Sequence, residues 1–141
     1  MVEFEEYFRC YVIGQKKVHI MHYDPRQPHA DRYVRDPEPA SDALYDRVTR
    51  DCLTLCCALG YDMNTVEFAV QDGIPYAIDF LNPAPDADYN SVGPDNFAWM
   101  VKALADFAIE EAQKPAKAPT ELRWSQFLDA SSPQSSVTGA Q

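Results

Sequence analysis

The stretch NTVEFAVQDGIPYAIDFLNPAPDAD, residues 64–88, decides how this chain folds. Two apolar, β-prone runs flank Asp72-Gly73, a pair that marks a hairpin turn. Val66, Phe68 and Val70 form the apolar face of the first strand, with Tyr76, Ile78 and Phe80 as the matching set on the second. Strand residues alternate faces, so keeping both sets together requires a connection of odd length. A three-residue loop with glycine in a left-handed conformation is therefore expected, rather than a two-residue turn that would pair Gln71 with Ile74. In that register Glu67 and Asp79 share the opposite face, beside the small residues Thr65, Ala69 and Ala77.

Working outward, residues 6–13 (EYFRCYVI) and 18–23 (VHIMHY) flank GQKK and read as a first hairpin. Residues 24–39 carry four prolines and are expected to be a loop. Ser41 suits a helix N-cap, and Leu44, Val48, Cys52, Leu55, Cys56 and Leu59 recur at helical spacing until Gly60. After the second hairpin, Asp95 opens another helix, with Phe97, Met100, Val101, Leu104, Phe107 and Ala108 on one face. The order ββαββα points to an α+β fold, an antiparallel sheet built from two β-hairpins with two helices on one face. One domain is expected over residues 1–114, followed by a flexible C-terminal tail, 115–141, in which Leu122, Trp124, Phe127 and Leu128 form a short apolar hook.

Composition narrows the function. A formal charge of -10, from 22 acidic against 12 basic residues, argues against a nucleic-acid partner, whose affinity rests on neutralised phosphates. No run has the length of a membrane span and the start MVEFEEYFRC lacks the features of a signal peptide, so a cytoplasmic protein is expected. The four cysteines lack the spacing of a disulfide framework and read as reduced, mostly buried thiols. His19 and His22 point to opposite faces of one strand, which excludes a shared zinc ion.

Two carboxylates on one open patch repel each other unless a cation sits between them. Mg²⁺ suits such a pair, because it binds through one or two carboxylates and takes its other ligands from water and phosphate. Asn82, at the strand end, offers a third, neutral oxygen. A simply solvated face is the alternative that the residues themselves leave open.

An acid in one strand, a turn, and then YAIDFLNPAPD resembles the C-terminal metal-binding end of the ATP-grasp enzymes. These join a carboxylate to an amine or similar nucleophile through an acyl-phosphate made from ATP. The resemblance covers most of residues 3–113. It implies Mg²⁺ and ATP as cofactors, with Glu67, Asp79 and Asn82 as metal ligands. FRCYVIGQKKVHIM is similar to the family's arginine-bearing strand and hairpin, which implies that Arg9 contacts phosphate or substrate. Two features depart from the pattern. The family places one residue between its second acid and the asparagine, whereas Phe80 and Leu81 both intervene here, so Asn82 reaches the site only through a bulge or a turn. Thr65 also stands where several amino-acid ligases of the superfamily carry an arginine. The family's other subdomain, with its phosphate-contacting lysines and lid, has no counterpart in the sequence. The resemblance therefore implies the second half of a catalytic module, not catalytic alone and completed by a complementary N-terminal half or by oligomerisation. The alternative is a non-catalytic interaction or oligomerisation module. Substrate identity stays open, as do two roles for Arg26, His29 and Arg32: a substrate-carboxylate clamp or a charged surface loop.

Overall fold

A computed structural model of the chain describes residues 4–115. Strand β1 spans Glu6–Ile13 and β2 spans Lys17–His22. Their three-residue connection, with Gly14 and Gln15 at φ 62° and 56°, pairs Cys10 with Ile20 and Val12 with Val18. Helix α1 covers Asp42–Leu59; the Ser41 side chain accepts from the Leu44 N–H, and Gly60 at φ 77° closes the other end. Both caps are the ones the sequence announces. Strands β3 (Met63–Gln71) and β4 (Ile74–Asn82) follow, then a short helix α2 (Tyr89–Val92) and the long α3 (Pro94–Ala112). The strands form one antiparallel sheet in the order β2-β1-β3-β4.

The class is the expected one, but the helices divide between the two faces of the sheet instead of sharing one. Phe8, Cys10 and Val12 of β1 join Val66, Phe68 and Val70 of β3 in a core against Leu44, Val48, Cys52 and Cys56 of α1. The intervening Tyr11 and Ile13 pack with Met21 against Val92, Met100 and Ala103 of α2 and α3. The central strands are apolar on both sides, so a single helical layer would leave one set in water. His19 and His22 part in the same way. The His19 ring stacks on Trp99 and bonds Asn96, whereas His22 bonds the Tyr45 hydroxyl on α1. On α3, Val101 is exposed rather than part of the packed face, and Ala103 takes its place inside.

The second hairpin corrects the expected turn. Asp72 and Gly73 both adopt positive φ, 53° and 70°, and Gln71 pairs with Ile74 in a two-residue turn. Such turns carry the twist that antiparallel strands need, which favours them over the longer loop. Tyr76 is then set opposite Ala69 and Ala77 opposite Phe68, so Tyr76 and Ile78 are not the core partners of Val66 and Phe68; both are exposed. Phe80 alone of the expected set packs against the α1-side core.

The residues proposed for the C-terminal hook, Leu122, Trp124, Phe127 and Leu128, lie outside the described residues. Among the described residues no helix is long and apolar enough to cross a membrane.

Candidate functional site

The two-residue turn by itself would put Glu67 and Asp79 on different faces. A register shift between Phe68 and Glu67 restores them: Phe68 pairs with Ala77 but Glu67 pairs with Asp79, leaving Ile78 as an extra residue. A second shift follows, and Thr65 pairs with Asn82 although three steps on β4 match two on β3. Asn82 thereby falls in the same alternating row as Glu67 and Asp79, overcoming the extra residue in DFLN.

Asn64 stabilises this irregular stretch. It is fully buried, and its side-chain amide donates to the Phe80 carbonyl at 2.8 Å and accepts from the Asn82 N–H at 3.0 Å. These are two backbone groups that a regular ladder would have paired. Asp79 also contributes, its Oδ1 accepting from the Leu81 N–H at 3.3 Å. Sequence reasoning missed Asn64, although its even position beside Val66, Phe68 and Val70 places it in the buried row.

Arg9 lies directly opposite Glu67 across β1 and β3, with Nε 3.4 Å from Glu67 Oε1. Glu5 and Glu6, its sequence neighbours, are not its partners in this ion pair. The guanidinium also faces the rings of Tyr23 and Tyr33, at 5.2 and 5.9 Å from their centroids. These tyrosines come together through an isolated bridge between residues 23 and 33, which folds the proline-rich loop back onto the sheet. Burial pushes the Glu67 carboxyl above its ordinary value; Arg9 pulls it down, Asp79 pushes it up and Arg32 pulls it down. Thr65 is buried in the same row, and its hydroxyl has no hydrogen-bond partner among the described residues.

The segment after β4 closes one side of the patch. The Asp86 carbonyl accepts from the Tyr11 hydroxyl, and its carboxylate accepts from Ser91 and the Asp88 N–H. Burial opposes ionisation of Asp86, but these hydrogen bonds prevail and hold its carboxyl below the usual range. Of the loop residues left open by the sequence, Arg26 makes a two-point pair with Asp24 and lies over the Tyr7 ring. Arg32 donates to the Gln27 carbonyl and to the Tyr23 hydroxyl. His29 begins an exposed turn of 3-10 helix, His29–Asp31.

Among the described residues no group of three or more His, Cys, Asp and Glu is placed to hold a metal ion. A cation here would draw on two carboxylates and a neutral amide, an all-oxygen set that fits Mg²⁺ and not the softer metals. A cleft of about 400 Å³ lies elsewhere, between Tyr33–Pro37 and the start of α3, and neither acid lines it.

No family model matches the sequence, and no curated protein matches it. Solved structures do. D-alanine–D-alanine ligase from Bacillus anthracis, in complex with ATP, superposes with a TM-score of 0.57 at 22% identity over 78% of this chain. A second structure of that ligase gives 0.57 at 18% identity, again over 78% of this chain. The fold is ATP-grasp-like. The chain spans 38% and 41% of the length of these two ligase chains. Among the described residues, the four-stranded antiparallel sheet and three α-helices are consistent with the C-terminal subdomain of the ATP-grasp fold.

Proposed function

We propose that the chain supplies the nucleotide- and Mg²⁺-holding part of an ATP-grasp ligase. In such an enzyme a substrate carboxylate takes the γ-phosphate of ATP, and an amine or similar nucleophile then displaces phosphate from the acyl-phosphate. The observation that carries this reading is the doubly shifted register, which sets Glu67 against Asp79 and returns Asn82 to their row. Glu67 and Asp79 act as the charged cation ligands and Asn82 as the neutral one. Arg9 contacts the transferred phosphate or the acyl-phosphate. When bound, Mg²⁺ offsets negative charge on the phosphoryl group in flight. Tyr23 and Tyr33 keep the Arg9 guanidinium on this face, so little ordering remains to be done when phosphate arrives. Turnover requires the adjoining part of an ATP-grasp module, supplied by a complementary N-terminal half. The partners are thus a nucleotide and a small-molecule carboxylate, and a cytoplasmic location fits both.

A second reading, a non-catalytic interaction or oligomerisation module on the same fold, is favoured by the edge strand. Ile74, Tyr76, Ile78 and Leu81 of β4 are about half exposed. Calorimetric titration of MgATP against the chain and its Glu67→Ala, Asp79→Ala double variant separates the two. Binding that needs Mg²⁺ and is lost in the variant is the expected result. Absence of binding by either protein at millimolar ligand would leave the interaction module as the better reading.

A further inference from the structure

The Arg9–Glu67 contact is short enough to neutralise charge and too poor to be a strong hydrogen bond. At 3.4 Å it is well beyond the separation of a good charge-assisted pair, and the buried Nε has no hydrogen-bond partner among the described residues. Both side chains are largely withdrawn from water, at 11% and 18% exposure. The guanidinium has a second anchorage in the Tyr23 and Tyr33 rings, which does not depend on Glu67. Arg9 can therefore part from Glu67 and keep its place. Glu67 cannot part from Arg9 so easily, since burial and the facing Asp79 both oppose its charge. The other charges acting here are Arg32 on Glu67 and Asp86 on Arg9.

We propose that Arg9 is a displaceable internal counter-ion. With no divalent cation bound, its guanidinium neutralises Glu67; a cation that takes Glu67 releases Arg9 toward an incoming polyphosphate. Cation and polyphosphate then strengthen each other's binding through one shared side chain as well as through direct attraction, and the effect is reciprocal. This rests on Glu67 and Asp79 being cation ligands.

The test uses the full 141-residue chain with Mn²⁺ and inorganic tripolyphosphate as probes, free Mn²⁺ being followed by electron paramagnetic resonance. Arg9→Met places an uncharged, flexible side chain between the two rings, whereas Arg9→Lys keeps the charge. Arg9→Met is expected to bind Mn²⁺ alone about tenfold more tightly than wild type, a typical size for such coupling, and to gain less from tripolyphosphate. Arg9→Lys is expected to stay near wild type with Mn²⁺ alone. If wild type binds Mn²⁺ through Glu67, as shown by loss in Glu67→Gln, and Arg9→Met binds no tighter, the counter-ion is overturned while the cation site stands. If no chain binds Mn²⁺, both fall. A measurement on wild type guards against a misfolded variant: the Arg9 Nε–H resonance should shift on adding Mg²⁺ without polyphosphate. A resonance unmoved at saturating Mg²⁺ would overturn the proposal.

Discussion

Asn64 carries a structural load out of proportion to its size. Its amide replaces two ladder hydrogen bonds where β4 is irregular, so its removal leaves the Phe80 carbonyl and the Asn82 N–H without these partners. Asn64→Ala is expected to cost about 1–3 kcal/mol in urea unfolding, the size expected when hydrogen-bonding groups withdrawn from water lose their partners. Its burial was legible from alternation, but its partners, 16 and 18 residues away, exist only because β4 shifts register. At Glu67 the relevant variable is pH. Protons compete with a cation for this carboxylate, and burial has raised its affinity for them above the ordinary glutamate value of 4.5. Mn²⁺ affinity should therefore already fall on acidification at pH values above 4.5, earlier than for an unshifted glutamate, when titrated by paramagnetic resonance across mildly acidic buffers. A flat profile down to 4.5 would remove Glu67 from the ligand set. In stability the same shift has the opposite sense: a raised carboxyl favours the fold at low pH, and that contribution is lost as pH rises through its folded value.

At the scale of the elements, the second hairpin shows how a correct pairing can follow from an incorrect turn. The expected three-residue loop and the observed two-residue turn differ by one in register, and Ile78 repays that difference further along β4. A test follows directly. Deleting Ile78 while keeping Asp72-Gly73 would bring Asp79 next to Ala77 and directly opposite Glu67 in an unbroken ladder, so Mn²⁺ binding should be retained while far-UV circular dichroism keeps the strand signal. Loss of binding with the strand signal kept would show that setting Asp79 opposite Glu67 is not enough to make the site. Bulges are poorly legible in sequence because they follow from the twist and closure of the whole sheet. The caps of α1 were legible, since Ser41 and Gly60 act through local backbone groups. The placement of α1 and α3 on opposite faces was not, because it follows from how β1 and β3 expose apolar residues on both sides.

For the whole molecule, the open question is what meets the β4 edge. A strand at the end of the sheet's strand order among the described residues, carrying the exposed Ile74, Tyr76, Ile78 and Leu81, is a surface that associates. The chain is expected to self-associate at high concentration in the absence of a complementary half. Sedimentation velocity should show a concentration-dependent rise that Ile74→Lys with Leu81→Lys abolishes. A monomer at every concentration would assign no role in self-association to this edge. The formal charge of -10 works against close approach of two copies, so added salt should favour the associated form.

The sequence alone determined what depends on near neighbours and on periodicity: the ββαββα order of the long elements, though not the short α2, the caps of α1, the opposed directions of His19 and His22, and the presence of two acids in a strand pair. Those features follow from backbone preferences and alternation over a few residues. Only the tertiary structure decided that α1 and α3 cover different faces, that two register shifts align Glu67, Asp79 and Asn82, and that Tyr23 and Tyr33 close on Arg9. The reason is physical: face assignment, strand register and aromatic enclosure depend on which distant surfaces bury each other, and no local propensity encodes that choice.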